Sequence, residues 1–337
     1  MDLSSLNILL NEFDLPMIQQ ISIEGPISVS EWYSDYLDKH IYIFGDMHVN
    51  EKHCADPDTR TIHIQKFLEW TFDTYEDTDK NIDFYCETQF HSRQFRRTEI
   101  GFGQKRLSPI KHYLNDINSY FKDCFEIDKT KCRYKNTRFH YVDVRFFPDS
   151  VLVDITLLLS DIINFNTNMH KEDFIEKLLP TIKPTLENLY QRLLNTTIHD
   201  IFTEMKITKQ FQNIPYPLRN YVENYWYNLC QKYLDILVIN VKEMLTSDGI
   251  NQKYNTAQLF VFPGLIMDAY TMGRVFRDFN GKSQNYVIIY IGDWHKSNYD
   301  NFLAYLKLFK LVTSARSDEE RKNFQCLKSG LHLPLFS

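Results

Sequence analysis

Two stretches of the chain carry the same acid–base residues at the same spacing. Ile41-Tyr42-Ile43-Phe44-Gly45-Asp46-Met47-His48 and Ile288-Ile289-Tyr290-Ile291-Gly292-Asp293-Trp294-His295 are each a four-residue apolar run followed by Gly-Asp-x-His. With 10 Gly and 11 His, chance supplies Gly-x-x-His about 0.3 times in such a chain, and a required Asp lowers this roughly tenfold. Glu87 follows a third apolar run, Ile82 to Cys86, and Asp143 and Arg145 follow a fourth, Phe139 to Val142. In extended backbone, Asp and His two residues apart point to one face. If the runs are neighbouring strands, Asp46, His48, Asp293 and His295 converge on one cleft with Glu87. That set suits a divalent metal, or a His base oriented by a carboxylate. A single Gly-Asp-x-His also reads as a turn, with Asp capping the next helix and His a bystander.

The elements that must position these residues are readable from the apolar pattern. Short continuous runs bounded by Gly are buried strands of a parallel sheet. Ile62 to Thr74 has helical spacing between the first two runs, so strand–helix–strand units are expected. Val151 to Phe165, Phe174 to Leu194 and Tyr221 to Leu245 are helical in period, punctuated by Pro180, Pro184, Pro215 and Pro217. The sheet resumes late: Leu259 to Phe262 reads as strand or helix start, Ile266 to Phe279 as helix, and Tyr286 to Ile291 as the clearest strand. A last helix is expected over Tyr299 to Val312, and Glu31 to Asp38 reads as a short amphipathic segment. The fold class is therefore α/β, a mainly parallel sheet flanked by helices, with a large helical insertion. Its parts are a lead-in over 1–39, a discontinuous core over 40–149 and 254–315, the insertion over 150–253, and a tail over 316–337.

Composition narrows the function classes. The 337 residues carry 38 Lys+Arg against 44 Asp+Glu, a formal charge of −6, with 43% hydrophobic residues. That is a folded globular composition, and its mild acidity argues against a nucleic-acid binder. No basic leader with an apolar core opens the sequence, and no run approaches the roughly 18 apolar residues of a spanning helix, so no membrane association is expected. The six cysteines contain no CxxC and read as free thiols of an intracellular protein. Oligomeric state is not legible.

The strand-end residues resemble the erythromycin esterase/TraB–Tiki superfamily. The likeness lies in Gly45-Asp46-Met47-His48, the strand-ending Glu87, Asp143-Val144-Arg145, and the late Gly292-Asp293-Trp294-His295. Met267-Asp268 through Arg274 to Asp278 is similar to the helix of acidic and basic residues before that last strand. The likeness covers roughly residues 40–146 and 260–305 and leaves the helical middle unmatched. It implies a hydrolase-like site, metal-dependent on peptides in some branches and using a His base on esters in others. Carried over, His48 is the base or first metal ligand, Glu87 a second ligand or the group that orients water, and His295 a second imidazole. Arg145 or Arg274 stabilises a developing oxyanion. Asp46, His48, Glu87, Asp293 and His295 are the candidate ligands for Mn, Zn or Co, and the partner is a small-molecule or peptide substrate. Asp46 stands where the esterase branch commonly has Glu. Two other readings stay open: a catalytically silent structural or interaction protein, and a cofactor binder with His48 contacting haem. The composition also resembles that of large-DNA-virus proteins.

Weaker signals have plainer explanations. His53-Cys54 reads as a loop with a bystander thiol, and Cys124 and Cys132, with His112 and His140, do not match structural zinc spacing. His91 either lines the cleft or sits at the surface. Arg93, Arg96, Arg97, Lys105 and Arg106, interleaved with Phe90, Phe95 and Phe102, read as a solvated loop rather than a polyanion site.

Overall fold

A computed structural model describes residues 22–47, 61–89, 113–126, 129–145, 150–155, 158, 179–246, 252–278, 284–317, 325–328, 331 and 335–336. Nine strands are described: β1 (Ser22–Glu24), β2 (Ser28–Ser34), β3 (Lys39–Asp46), β4 (Thr61–His63), β5 (Ile82–Gln89), β6 (Thr137–Asp143), β7 (Tyr286–Gly292), β8 (Lys310–Arg316) and β9 (Cys326–Lys328). The principal sheet has the order β6-β5-β7-β3-β2-β8. β6, β5, β7 and β3 run parallel, whereas β2 is antiparallel to both β3 and β8. The fold is α/β as expected, but the sheet is mixed rather than mainly parallel. A small second sheet has the order β4-β1-β9.

The apolar runs form strands because both of their faces are covered. Ile41, Ile43, Val287, Ile289 and Ile291 belong to one hydrophobic cluster, and Tyr42, Phe44, Ile288 and Tyr290 to the other. Alternation along each strand thus feeds two separate cores. On the second face lies α1 (Ile64–Tyr75), which buries Ile64, Phe67, Leu68, Thr71, Phe72 and Tyr75 at helical spacing. The short helices α2 (Tyr113–Tyr120) and α3 (Lys122–Phe125) join it there.

The first face is covered by the helical region. It comprises α4 (Leu179–Leu194), α5 (Ile198–Glu204), α6 (Ile207–Gln212), α7 (Leu218–Thr246) and α8 (Gln252–Phe276). α7 buries a stripe from Leu218 through Val222, Trp226 and Cys230 to Leu234. α8 is a helix throughout, including Leu259 to Phe262, and is buried on nearly every side from Leu259 onward. Its window Leu259–Phe276 has mean hydropathy 1.2 and is 83% buried inside the protein. A helix between the sheet and α7 needs that composition, so a stretch long and apolar enough to span a membrane by length and composition, contrary to the expectation that no run approaches that, serves here as core. α9 (Asp293–Leu306) completes the layer.

Three readings are corrected by the structure. The last helix starts earlier and ends at Leu306, with Lys307 in the left-handed region (φ 55°), and the chain then turns into β8. β8 lacks an apolar run because it is a largely exposed edge. Glu31 to Asp38 is mostly strand β2 and its hairpin turn, closed by Asp38 at φ 46°. Cys124 and Cys132 form a disulfide with Cα atoms 4.6 Å apart, and Cys326 is also disulfide-bonded. The turn after α3 brings the first pair together, which removes the cysteine argument for a reducing compartment. Cys86 and Cys230 are free and buried, and burial pushes both thiols well up.

Candidate active site at the strand ends

The parallel strands β5, β6 and β7 end on one side of the sheet, and the chemistry-bearing side chains gather there. Glu87 is near the end of β5, where a register shift after Cys86 re-aims the chain. Its Oε2 accepts from the Gly292 backbone N–H at 2.8 Å, tying the end of β5 to the end of β7. Its Oε1 accepts from Arg145 Nη2 at 3.2 Å. Arg145 lies two residues past β6 and grips Asp143 with two prongs, Nε to Oδ1 at 2.8 Å and Nη2 to Oδ2 at 3.0 Å. Burial opposes the Arg145 charge, but Asp143 and then Glu87 outweigh it and hold its pKa above the usual value.

His295 is delivered to this group by α9. Its Nδ1–H donates to Asp268 Oδ1 at 2.7 Å, and Asn298 Nδ2 donates to Asp268 Oδ2 at 2.7 Å. A carboxylate only accepts, so Nδ1 carries the proton and Nε2 presents the opposite edge of the ring. Nε2 lies 3.9 Å from Glu87 Oε1. Burial lowers the His295 pKa, but the Asp268 charge and hydrogen bond, with Glu87 behind them, overcome it and leave the pKa raised. Asp268 is fully buried in α8. The close approach of α8 and α9 depends on Gly264, where a Cβ would sit 2.7 Å from the Trp294 ring and 3.1 Å from His295 Cε1.

The structure brings together Glu87, Asp143, Arg145 and His295 and gives Asp293 and Arg274 other partners. Asp293 and His295 do not share a face. β7 stops at Gly292 and α9 starts at Asp293, so the two residues lie on a helical turn rather than an extended strand. Asp293 turns the other way, accepting from Ser28 Oγ and, at 2.7 Å, from Arg316 Nη1. Gly45 makes room for it, since a Cβ there would fall 2.6 Å from Asp293 Oδ1. Asp46 is buried at the end of β3, and its charge acts on the Tyr290 phenol and the Cys86 thiol. Arg274 is at the far end of α8, where Nη2 donates to His140 Nδ1 at 2.9 Å and Nη1 to the Tyr270 hydroxyl at 3.0 Å. His140 in turn donates from Nε2 to Asp83 at 2.6 Å, so both of its nitrogens are engaged within a buried cluster. His48, His53, Cys54, His91, His112 and the basic stretch from Arg93 to Arg106 lie outside the described residues.

Asp268 is the residue that the strand-end reading left without a role. The signal available for it was a lone carboxylate in the apolar stretch from Leu259 to Met272, a place where a charge persists only with a partner.

Among the described residues, which do not include His48, the divalent ion implied by the family resemblance finds no complete donor set. Nδ1 of His295 is committed to Asp268, and Glu87 already holds a backbone N–H and a guanidinium. Among the described residues, no group of three or more His, Cys, Asp and Glu side chains is arranged to hold a metal. The described donors are thus committed to one another, and no step is routed through an ion.

No protein-family description matches the chain, and no solved structure matches it. It is similar to an uncharacterized protein of Acanthamoeba polyphaga mimivirus, 27% identical over 134 residues, or 36% of this chain and 73% of that protein. The likeness points to a viral origin and leaves the esterase resemblance on the motif residues alone.

Proposed function

We propose that the chain is a hydrolase-like protein in which His295 acts as a general base on water, with an ester or peptide carbonyl as the target. The observation that carries this reading is the Asp268–His295 pair, with Nε2 turned toward Glu87 and Arg145. In a hydrolytic step Nε2 takes a proton from water as its oxygen attacks the carbonyl carbon. The imidazolium formed is stabilised by buried Asp268 and returns the proton to the leaving group. The Arg145 side chain, 26% exposed, offers the Nη1 protons not used on Asp143 or Glu87 to the developing oxyanion. Glu87 fixes Arg145 and adds negative potential beside the imidazole.

The test is hydrolysis of a panel of p-nitrophenyl esters and chromogenic peptides by wild-type protein and His295→Gln, each with and without a chelator. The expected result is turnover that falls at least a hundredfold in the variant and is indifferent to chelation. Turnover abolished by chelation and restored by Mn, Zn or Co would replace the His-base reading with the metal one. An unchanged rate in His295→Gln, or no turnover on any substrate, would overturn both. The second outcome would favour the silent interaction protein, a reading supported by the structural use of Asp293.

A further inference from the structure

A cavity of about 240 Å³ opens at the other end of the sheet, where β3 and β7 begin. Its walls come from the β2–β3 turn, the segment before α7, the C-terminal end of α8 and Leu308. Lys39, the first residue of β3, lines it and is only 4% exposed. The Lys39 ammonium donates to the carbonyls of Val275, at 3.1 Å, and Gln284. An ammonium has three N–H donors, and among the described residues none of those on Lys39 meets a carboxylate within ion-pair distance. Buried cations are ordinarily paired. Desolvation accordingly lowers this amine to about 8, against the more distant charges of Asp83 and Asp278. Arg277 contributes a second cation to the lining.

The mouth has a different character. Tyr36, Tyr216 and Tyr221 line it and are 74%, 76% and 57% exposed, so three of the large apolar side chains left in water surround one opening. Phe276 lies deeper, with Lys39 Nζ 6.0 Å from its ring centre. Aromatic walls around a few fixed polar groups are the usual make-up of a small-molecule site, and this volume is at the small end of that range.

We infer that this cavity binds a small ligand bearing one planar ring and one anionic group, the ring among the rim tyrosines and the anion on Lys39 and Arg277. The site is separate from the Asp268–His295 pair, which lies at the opposite ends of the strands. Asp278 also lines the cavity and offsets part of the charge of the two cations, and Arg277 Nη1 is held by the Gln210 side chain.

The experiment is titration of the full chain with four probes, followed by calorimetry and ligand-observed NMR. Benzoate and phenyl phosphate carry ring and anion, benzyl alcohol the ring alone, and inorganic phosphate the anion alone. Benzoate is expected to bind about tenfold or more tighter than benzyl alcohol and inorganic phosphate, and phenyl phosphate reports whether a phosphate replaces the carboxylate. Tyr216→Ala, on a side chain 76% exposed, and Arg277→Gln should each weaken benzoate by about fivefold or more, whereas His295→Gln should not. Equal binding of benzyl alcohol, no saturation by either ring-bearing anion below about 10 mM, or unchanged affinity in Tyr216→Ala would overturn the inference.

Discussion

Replacing Asp268 by Asn tests the reasoning about the site at its most exposed step. Asn keeps the volume of the side chain, so no cavity enters the result. It removes the charge and leaves one acceptor oxygen where the carboxylate offers two, at 2.7 Å to His295 Nδ1 and 2.7 Å to Asn298 Nδ2. One bond falls from charge-assisted to neutral, at a cost of about 1 kcal/mol, and one buried donor is orphaned, at about 1–3 kcal/mol. Asp268→Asn is therefore expected to lose about 2–4 kcal/mol of stability near pH 6, read from urea unfolding at constant slope. The pH dependence fixes the cause. His295 has a raised pKa in the folded protein, so its stabilisation is complete below the unfolded value of about 6.5 and disappears as pH rises through the folded value. The wild-type advantage over Asp268→Asn should thus shrink on the alkaline side, and the His295 resonance should titrate at lower pH in the variant. A loss below about 0.5 kcal/mol, or one of equal size at pH 6 and pH 10, would refute the buried ion-pair account.

Three further outcomes are expected. Gly264→Ala should reduce any His295-dependent turnover about tenfold or more while changing stability by no more than roughly 2 kcal/mol, because the exposed Trp294 ring swings away and buried His295 is displaced; matched rate and thermal melts check this. Arg145→Gln leaves Asp143 and Glu87 facing each other without their shared cation and should cost roughly 2–4 kcal/mol, measured by denaturant unfolding. The double variant Cys124→Ser/Cys132→Ser opens a bridge of sequence separation 8 and should lose roughly 2–3 kcal/mol without moving the His295 titration.

The sequence made the centre of the sheet legible and its margins obscure, for a physical reason. β3, β5, β6 and β7 are wrapped on both faces, and double burial writes continuous apolar runs. β2 and β8 carry Ser, Glu, Lys and Arg at the sheet margin and resemble loop or helix in a single sequence. At the site, Glu87, Arg145 and His295 were recognisable because each comes shortly after a continuous apolar run. The pairing of Asp293 with His295 failed because extended chain becomes helix at Asp293 itself, before the motif reaches His295. Asp268 is 27 positions before its partner on another helix, so only three-dimensional packing shows what it holds.

The strand order has a consequence for how the protein is made. β7 lies between β5 and β3, yet His40 of β3 pairs with Tyr286, about 250 residues later in the chain. Until β7 emerges from the ribosome, the β2–β3 and β5–β6 pairs have no strand to join them, and the edges of β3 and β5 that β7 fills stay unpaired. Folding is then governed by a late, long-range event, slow by topology and exposed to aggregation during synthesis. The same strand carries His295 at its exit, so the last step that completes the sheet also completes the site.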